Sequence, residues 1–383
     1  MLAEESKSRI GVLDGFRCIA VIMVMLVHYT FSYTIPQHEM NLYPYGDRYS
    51  GVLLFRMGYT GVQFFFIISG FVIFMTLERC RSIGEFLVKR FIRLFPALLF
   101  CSIVTFLFVQ WIDPARQVPE FHNTWADFFP SLTFSDLWFW NRVFGHKVEY
   151  IDIVYWTLTF EIKFYILASL VFFFKKENFF RNWMGWTLVV LLIHYAFKLV
   201  AAVKPLPHMD LVKNTIDIYL FPEYIILFTL GIYFYMLFTG RKMHQGYTWL
   251  MAALVVVQMT MLKYQNERIF VAIYIALFIV FLYRPQWLRF LSTPFFAFIG
   301  LVSYPLYLLH ARIGVMLLHK LGQVSQPGDY AGWYIVLVMG ISVVLAYLVH
   351  RFVEKPSADY LRRLLLPKKS KPAPPAVPQP QGI

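Results

Sequence analysis

Four stretches of this chain, 62–77, 94–109, 270–282 and 335–349, carry no charged residue. Crossing a bilayer core of about 30 Å takes roughly 20 residues of helix, and each run reaches that length once its polar flanks are included. Nothing inside lipid can satisfy an open strand edge, so a spanning segment is either a helix or part of a closed barrel. These runs are too long and too uniformly apolar for barrel strands, which alternate lipid-facing and lumen-facing residues. The sequence therefore reads as all-α, a polytopic transmembrane helix bundle. Composition agrees: 59% of residues are hydrophobic and 15% charged, against roughly 45–50% and about 25% in soluble domains.

Ten crossings are expected near 14–34, 58–77, 92–111, 155–174, 183–203, 216–238, 247–263, 268–283, 295–318 and 332–350. The segment 112–154, rich in Pro, Asp and Trp, reads as an interfacial loop with a short helix rather than a further crossing. With the N-terminus assigned to the cytoplasm, 21 Lys and Arg fall on inner loops and 10 on outer ones. That bias places both termini in the cytoplasm. It also explains the formal net charge of +13 by inner loops rather than by a nucleic-acid partner. Residues 1–366 form one transmembrane domain, and 367–383 read as a Pro-rich disordered cytoplasmic tail. Cys18, Cys80 and Cys101 show no pairing or zinc-ligand pattern, so no metal is expected. The first apolar segment has no small-residue cleavage site after it and reads as an anchor that stays.

Ionisable groups within these spans are functional candidates by default, because a charge in the bilayer is costly. At 1.5 Å per residue, His28, Glu161 and His310 all come to lie about 21–22 Å above the inner face, on three separate helices. Arg17 and His28 are three helical turns apart and share one side of the first helix. Arg90 and Arg93 stand one turn apart where the third helix begins. Three guanidiniums around one inner mouth suit a polyanion such as a phosphorylated cofactor, since each offers a planar fork to phosphate oxygens. Ser303, Tyr307 and His310 share one helix face.

Structural readings compete with these. Arg90 and Arg93 serve equally well as inner-surface anchors, Lys163 as a snorkelling charge facing away from Glu161, and the His310/Arg312 pair as a polar packing contact. A histidine in a membrane interior, such as His28, is harder to account for by packing. The clusters 64–66 and 172–174, all Phe, read as packing or lipid contact.

Six short segments, in order along the chain, carry a resemblance. They are IGVLDGFR at 10–17 with its Arg-x10-His element ending at His28, GVQFFFIISGF at 61–71, RFIRLFPA at 90–97, WTLTFEIKFY at 156–165, SYPLYLLH at 303–310 and FVEKP at 352–356. Together they resemble the acyltransferase 3 family of membrane O-acyltransferases. Departures are Thr157 for the usual Ser, Pro305 where Ser is common, and Lys163 where an uncharged or acidic residue is common. The extracytoplasmic SGNH-type hydrolase domain of some members is not expected.

The resemblance implies an acyl-CoA donor, usually acetyl-CoA, as co-substrate. It also implies a hydroxyl of a cell-surface glycan or lipid-linked saccharide as acceptor, in the inner membrane of a bacterium among membrane lipids. On this reading Arg17, Arg90 and Arg93 hold the CoA phosphates. His28 is the base or a transient acyl carrier, with Glu161 orienting it or acting as the second acid/base. Ser303, Tyr307 and His310 bind the acceptor or the oxyanion. A homo-oligomer is left open. The rival reading is a polytopic transporter or flippase for a glycan or glycolipid, which also has many helices and midplane charges. Against it, the sequence shows neither an inverted hydropathy repeat nor a matched pair of broken helices.

Overall fold

The computed structural model describes residues 2–35, 37–203, 209–324 and 329–366; the Pro-rich tail at 367–383 lies outside them. No strand occurs among the described residues. The principal helices are α1 (Leu2–Thr30), α2 (Gly61–Leu77), α3 (Ile83–Ile112), α4 (Trp156–Phe174), α5 (Phe179–Val203), α6 (Met209–Leu220) and α7 (Pro222–Phe238). They are followed by α8 (Gln245–Met261), α9 (Gln265–Tyr283), α10 (Pro294–Val324), α11 (Trp333–Val349) and α12 (Lys355–Leu365). Among the described residues nine helical segments, α6 and α7 counted as one, are long and apolar enough to cross a membrane. The 17 residues of α8 span about 25 Å, the short end of the spanning range. Each of the ten expected crossings thus has its helix, and the chain is a multi-pass membrane protein.

The sixth crossing is broken. Pro222 has no backbone N–H and disfavours the right-handed helical conformation in the residue before it. Phe221 accordingly sits at φ +40°, ψ +53° between α6 and α7. Lys163 Nζ donates to Ile218 O at 2.5 Å, satisfying a carbonyl orphaned where α6 ends. Lys163 thus serves the α6 terminus and stands apart from Glu161.

The bundle is tightest where α2 crosses α7. A Cβ on Gly70 would lie 2.1 Å from Phe228 O, and one on Gly231 would lie 2.0 Å from Ile67 O. Each glycine lets the other helix's backbone approach, the small-residue contact that lipid-embedded helices use where no solvent drives association. Gly231→Ala is therefore expected to cost about 1–3 kcal/mol through overpacking, read as a lowered melting temperature in detergent; an unchanged melt would disprove the close crossing. Around this core, Phe64 and Phe66 are buried while Phe174, Leu192 and Val256 are exposed on the outer wall, as residues facing lipid can be.

Segment 113–155 contains the helices Phe128–Thr133 and Leu137–Phe144, of 6 and 8 residues. Neither approaches spanning length, so segment 113–155 adds no further crossing. Arg312 of α10 fastens this segment. Its Nη1 donates to Phe121 O at 2.8 Å and to Asn123 Oδ1, its backbone N–H donates to Asp152 Oδ2 at 2.9 Å, and its Nη2 lies 3.6 Å from Glu149. Burial pushes the Asp152 carboxyl up to about 6, with Arg312 and backbone N–H groups pulling it back. Arg312→Ala removes the guanidinium from beside the buried Asp152 and leaves Phe121 O and Asn123 Oδ1 without their donor. A loss of about 3–5 kcal/mol is expected, detectable as a lower melting temperature and earlier proteolysis within 113–155.

Candidate active site

The last turn of α1 leaves carbonyls without helical partners, and the following loop supplies them. Tyr43 OH donates to His28 O at 2.5 Å, and Tyr45 OH donates to Tyr29 O. From the other side Tyr29 OH reaches His310 O at 2.9 Å and lies 2.9 Å from Ser342 Oγ. It passes α10 at Gly314, where a Cβ would stand 2.1 Å from the tyrosine oxygen. These contacts fix the end of α1 against α10 and bring two histidines together.

His310 is fully buried, with Nδ1 at 2.8 Å from Tyr307 O and 3.2 Å from Leu306 O. Its Nε2 lies 3.3 Å from His28 Nδ1, which is itself 2.8 Å from Val24 O. Carbonyl oxygens only accept, so in the neutral pair each Nδ1 carries the hydrogen. His310 Nε2 then presents its lone pair to the His28 N–H. The same assignment leaves the lone pair of His28 Nε2 without a protein partner among the described residues. His28 is half-buried and lines a cavity of about 270 Å³, so that lone pair has space in front of it. A neutral imidazole held in a fixed tautomer is the form a general base needs.

A second cavity, of about 90 Å³, lies toward the N-terminal end of α1 and is lined by Arg17, Arg90, Arg93, Glu161, Ser303 and Tyr307, among others. Arg17 is paired with Asp14 at 2.7 Å. Arg90 is 6% exposed. Its Nη2 donates to Thr76 Oγ1 at 2.5 Å, and its guanidinium faces the rings of Tyr165 and Phe86 at 5.4 and 5.5 Å. Its Nε has no protein acceptor among the described residues. Neither Arg90 nor Arg93 has an ion pair there. Glu161 accepts from Ser69 Oγ at 2.6 Å and from Tyr165 OH. Three guanidiniums face two carboxylates, Glu161 and the Asp14 paired with Arg17, which leaves this chamber positive. That charge suits a polyanion.

Val62 and Tyr307 line both cavities and form the wall between them. Tyr307 OH lies 2.9 Å from Thr157 Oγ1, and both hydroxyls reach Val154 O, at 3.1 and 3.0 Å. Ser303 Oγ donates to Gly300 O at 2.8 Å. The structure thus gathers Arg17, Arg90, Arg93, Glu161, Ser303 and Tyr307 around one chamber and pairs His28 with His310 at the next. Glu161, expected near His28 by depth, stands on the arginine side; His310 contacts His28 through Nε2 and is hydrogen-bonded to backbone through Nδ1. Two further polar residues in the His28 chamber, Gln63 and Glu267, escaped the sequence reading. Gln63 is uncharged within an apolar run, and Glu267 lies at the edge of a span where acids are common.

The family model for the acyltransferase 3 domain, described as "Acyltransferase domain", matches residues 10–351. The chain is 27% identical over 186 residues to the peptidoglycan O-acetyltransferase OatA of Listeria monocytogenes, covering 44% of this chain and 25% of that protein. It is 33% identical over 99 residues to the O-acetyl transferase of Shigella phage Sf6, covering 26% of each. The chain therefore spans about a quarter of the length of these relatives. No solved structure matches it significantly.

Proposed function

This chain belongs to the acyltransferase 3 family, and we propose that it is a membrane O-acyltransferase moving an acyl group, acetyl above all, from acyl-CoA to a hydroxyl of a cell-surface glycan or its lipid-linked precursor. One observation carries the reading: a chamber of under-compensated guanidiniums and a chamber holding a bare imidazole nitrogen share the wall formed by Val62 and Tyr307. The first suits the phosphates of a CoA thioester and the second suits a hydroxyl nucleophile. The charge bias of the loops supports putting the arginine end in the cytoplasm of a bacterium and the His28 end on the far side of the inner membrane.

In the proposed reaction His28 Nε2 takes the proton of the acceptor hydroxyl as its oxygen attacks the thioester carbonyl. The C–S bond breaks, the ester forms, and the proton on His28 passes to the departing CoA thiolate. His310 Nε2 and Val24 O accept from His28 Nδ1–H and so stabilise the imidazolium that forms, the part the buried carboxylate plays in a serine-hydrolase triad. Glu161 is assigned to the donor side, where it holds Ser69 and Tyr165 and offsets part of the arginine charge. Ser303 and Tyr307 are assigned to the passage between the chambers.

The test is transfer of radiolabelled acetyl from acetyl-CoA in vesicles containing the protein. Label in a glycan fraction that depends on intact protein is the expected outcome. Absence of any CoA-dependent label would turn the reading to a transporter.

A further inference from the structure

Gln63 of α2 is 7% exposed, and its Nε2 donates to Glu267 Oε1 of α9 at 2.6 Å. The carboxylate fixes the orientation of the amide, so Gln63 Oε1 can only accept. It is buried with no protein donor among the described residues, and the same holds for Tyr59 OH as donor or acceptor. Buried polar atoms are paired in the great majority of cases, and an unmatched one costs about 1–3 kcal/mol. All three residues line the His28 chamber. Trp156 and Tyr224, ring centroids 6.0 Å apart, bound that chamber and also line a third cavity of about 240 Å³, which contains Asp217 and Glu223. Lys198 and Lys213, the basic groups that act on Glu223, line neither cavity.

We propose that Tyr59, Gln63 and Glu267 form the acceptor subsite, entered past Trp156 and Tyr224, and that it takes an uncharged or amino sugar and rejects anionic ones. This rests on the O-acyl-transfer reading. Gln63 Oε1 and the Glu267 carboxylate accept hydrogen bonds from sugar hydroxyls, and Tyr59 OH supplies a group that can donate or accept. The aromatic pair offers the apolar faces against which a pyranose ring packs. Carboxylates along the approach repel a phosphate or uronate, whereas the arginine chamber attracts one. Opposite charge in the two chambers thus keeps donor phosphates and acceptor apart, selection by repulsion as well as by fit.

The experiment uses the full chain in liposomes with radiolabelled acetyl-CoA, measuring both CoA release and ester formation. The acceptors are methyl glucoside, methyl N-acetylglucosaminide and methyl glucuronide. The wild type should acylate one or both neutral glycosides and leave the glucuronide at least about tenfold poorer. Glu267→Gln, Gln63→Leu and Tyr59→Phe should each raise the acceptor KM about tenfold, the effect of one lost hydrogen bond to a charged or buried partner. The donor KM should stay unchanged. Tyr59→Phe removes a single oxygen and guards against a folding defect in the other two. CoA release without ester on either neutral glycoside, an equally good glucuronide, or unaltered acceptor KM in all three variants overturns the subsite alone. No CoA release from the wild type overturns the acyl-transfer reading, and the subsite with it.

Discussion

Replacing His28 by Ala is expected to lower acyl transfer by about 10²–10⁴-fold, the range for loss of a positioned general base, with the melting temperature little changed. The stability expectation follows from the contacts. The end of α1 is held by Tyr43 and Tyr45 on backbone carbonyls and by packing of Tyr29 against α10, none of which uses the His28 ring. His310→Gln should cost much less, on the order of tenfold, because Val24 O still accepts the His28 Nδ1–H at 2.8 Å and keeps the tautomer. The imidazolium formed during transfer then loses only one of its two acceptors. Activity in the wild type should fall on the acid side as His28 takes up a proton and the lone pair on Nε2 is lost. Full transfer by His28→Ala, with ordinary dependence on acetyl-CoA, would remove this residue from the chemistry.

The pairing of His28 with His310 was within reach of the sequence, since a rise of 1.5 Å per residue put both at one depth. Depth is a single coordinate, however. Glu161 came out at the same height and yet faces the arginine chamber, because helical periodicity gives the direction of a side chain relative to its own helix and not which neighbouring helix it meets. The ten crossings were legible because run length in lipid is a direct physical requirement, while their ends were not. α3 begins at Ile83 rather than near 92, capped by Ser82 Oγ accepting from Glu85 N at 3.2 Å. The Ser-x-x-Glu spacing that marks such starts stands in the sequence, outside the apolar window. The break at Phe221 was likewise announced by Pro222 and hidden by the apolarity around it. Gln63 and Glu267 could not be found by a search for charges deep in spans. Their meeting requires knowing that the N-terminal ends of α2 and α9 are neighbours.

Arg90→Met should weaken donor binding by roughly 10–100-fold while leaving the empty protein at least as stable as the wild type. This split separates a binding residue from an anchor. A guanidinium that is 6% exposed, without an ion pair and with Nε unmet, pays a desolvation penalty only partly offset by Thr76 and the faces of Phe86 and Tyr165. Replacing such a charge with an apolar side chain of similar length relieves that penalty. If Arg90 were an inner-surface anchor, the same change would lower the melting temperature and leave the donor KM alone. Charge-assisted hydrogen bonds contribute about 1.5–3 kcal/mol each, so Arg90→Met and Arg93→Ala should each raise the acetyl-CoA KM by roughly 10–100-fold. Arg17→Ala should do less, since Asp14 at 2.7 Å already neutralises much of its charge. Arg90→Lys should not restore binding, because a lysine brings the charge without the planar fork or the Nε donor. Thermal shift with added CoA reads the same quantity without turnover. The wild type should be stabilised in proportion to the logarithm of ligand concentration above Kd, and Arg90→Met should need roughly 10–100-fold more CoA for the same shift. A CoA-dependent shift of wild-type size in Arg90→Met would place the phosphates somewhere other than this chamber.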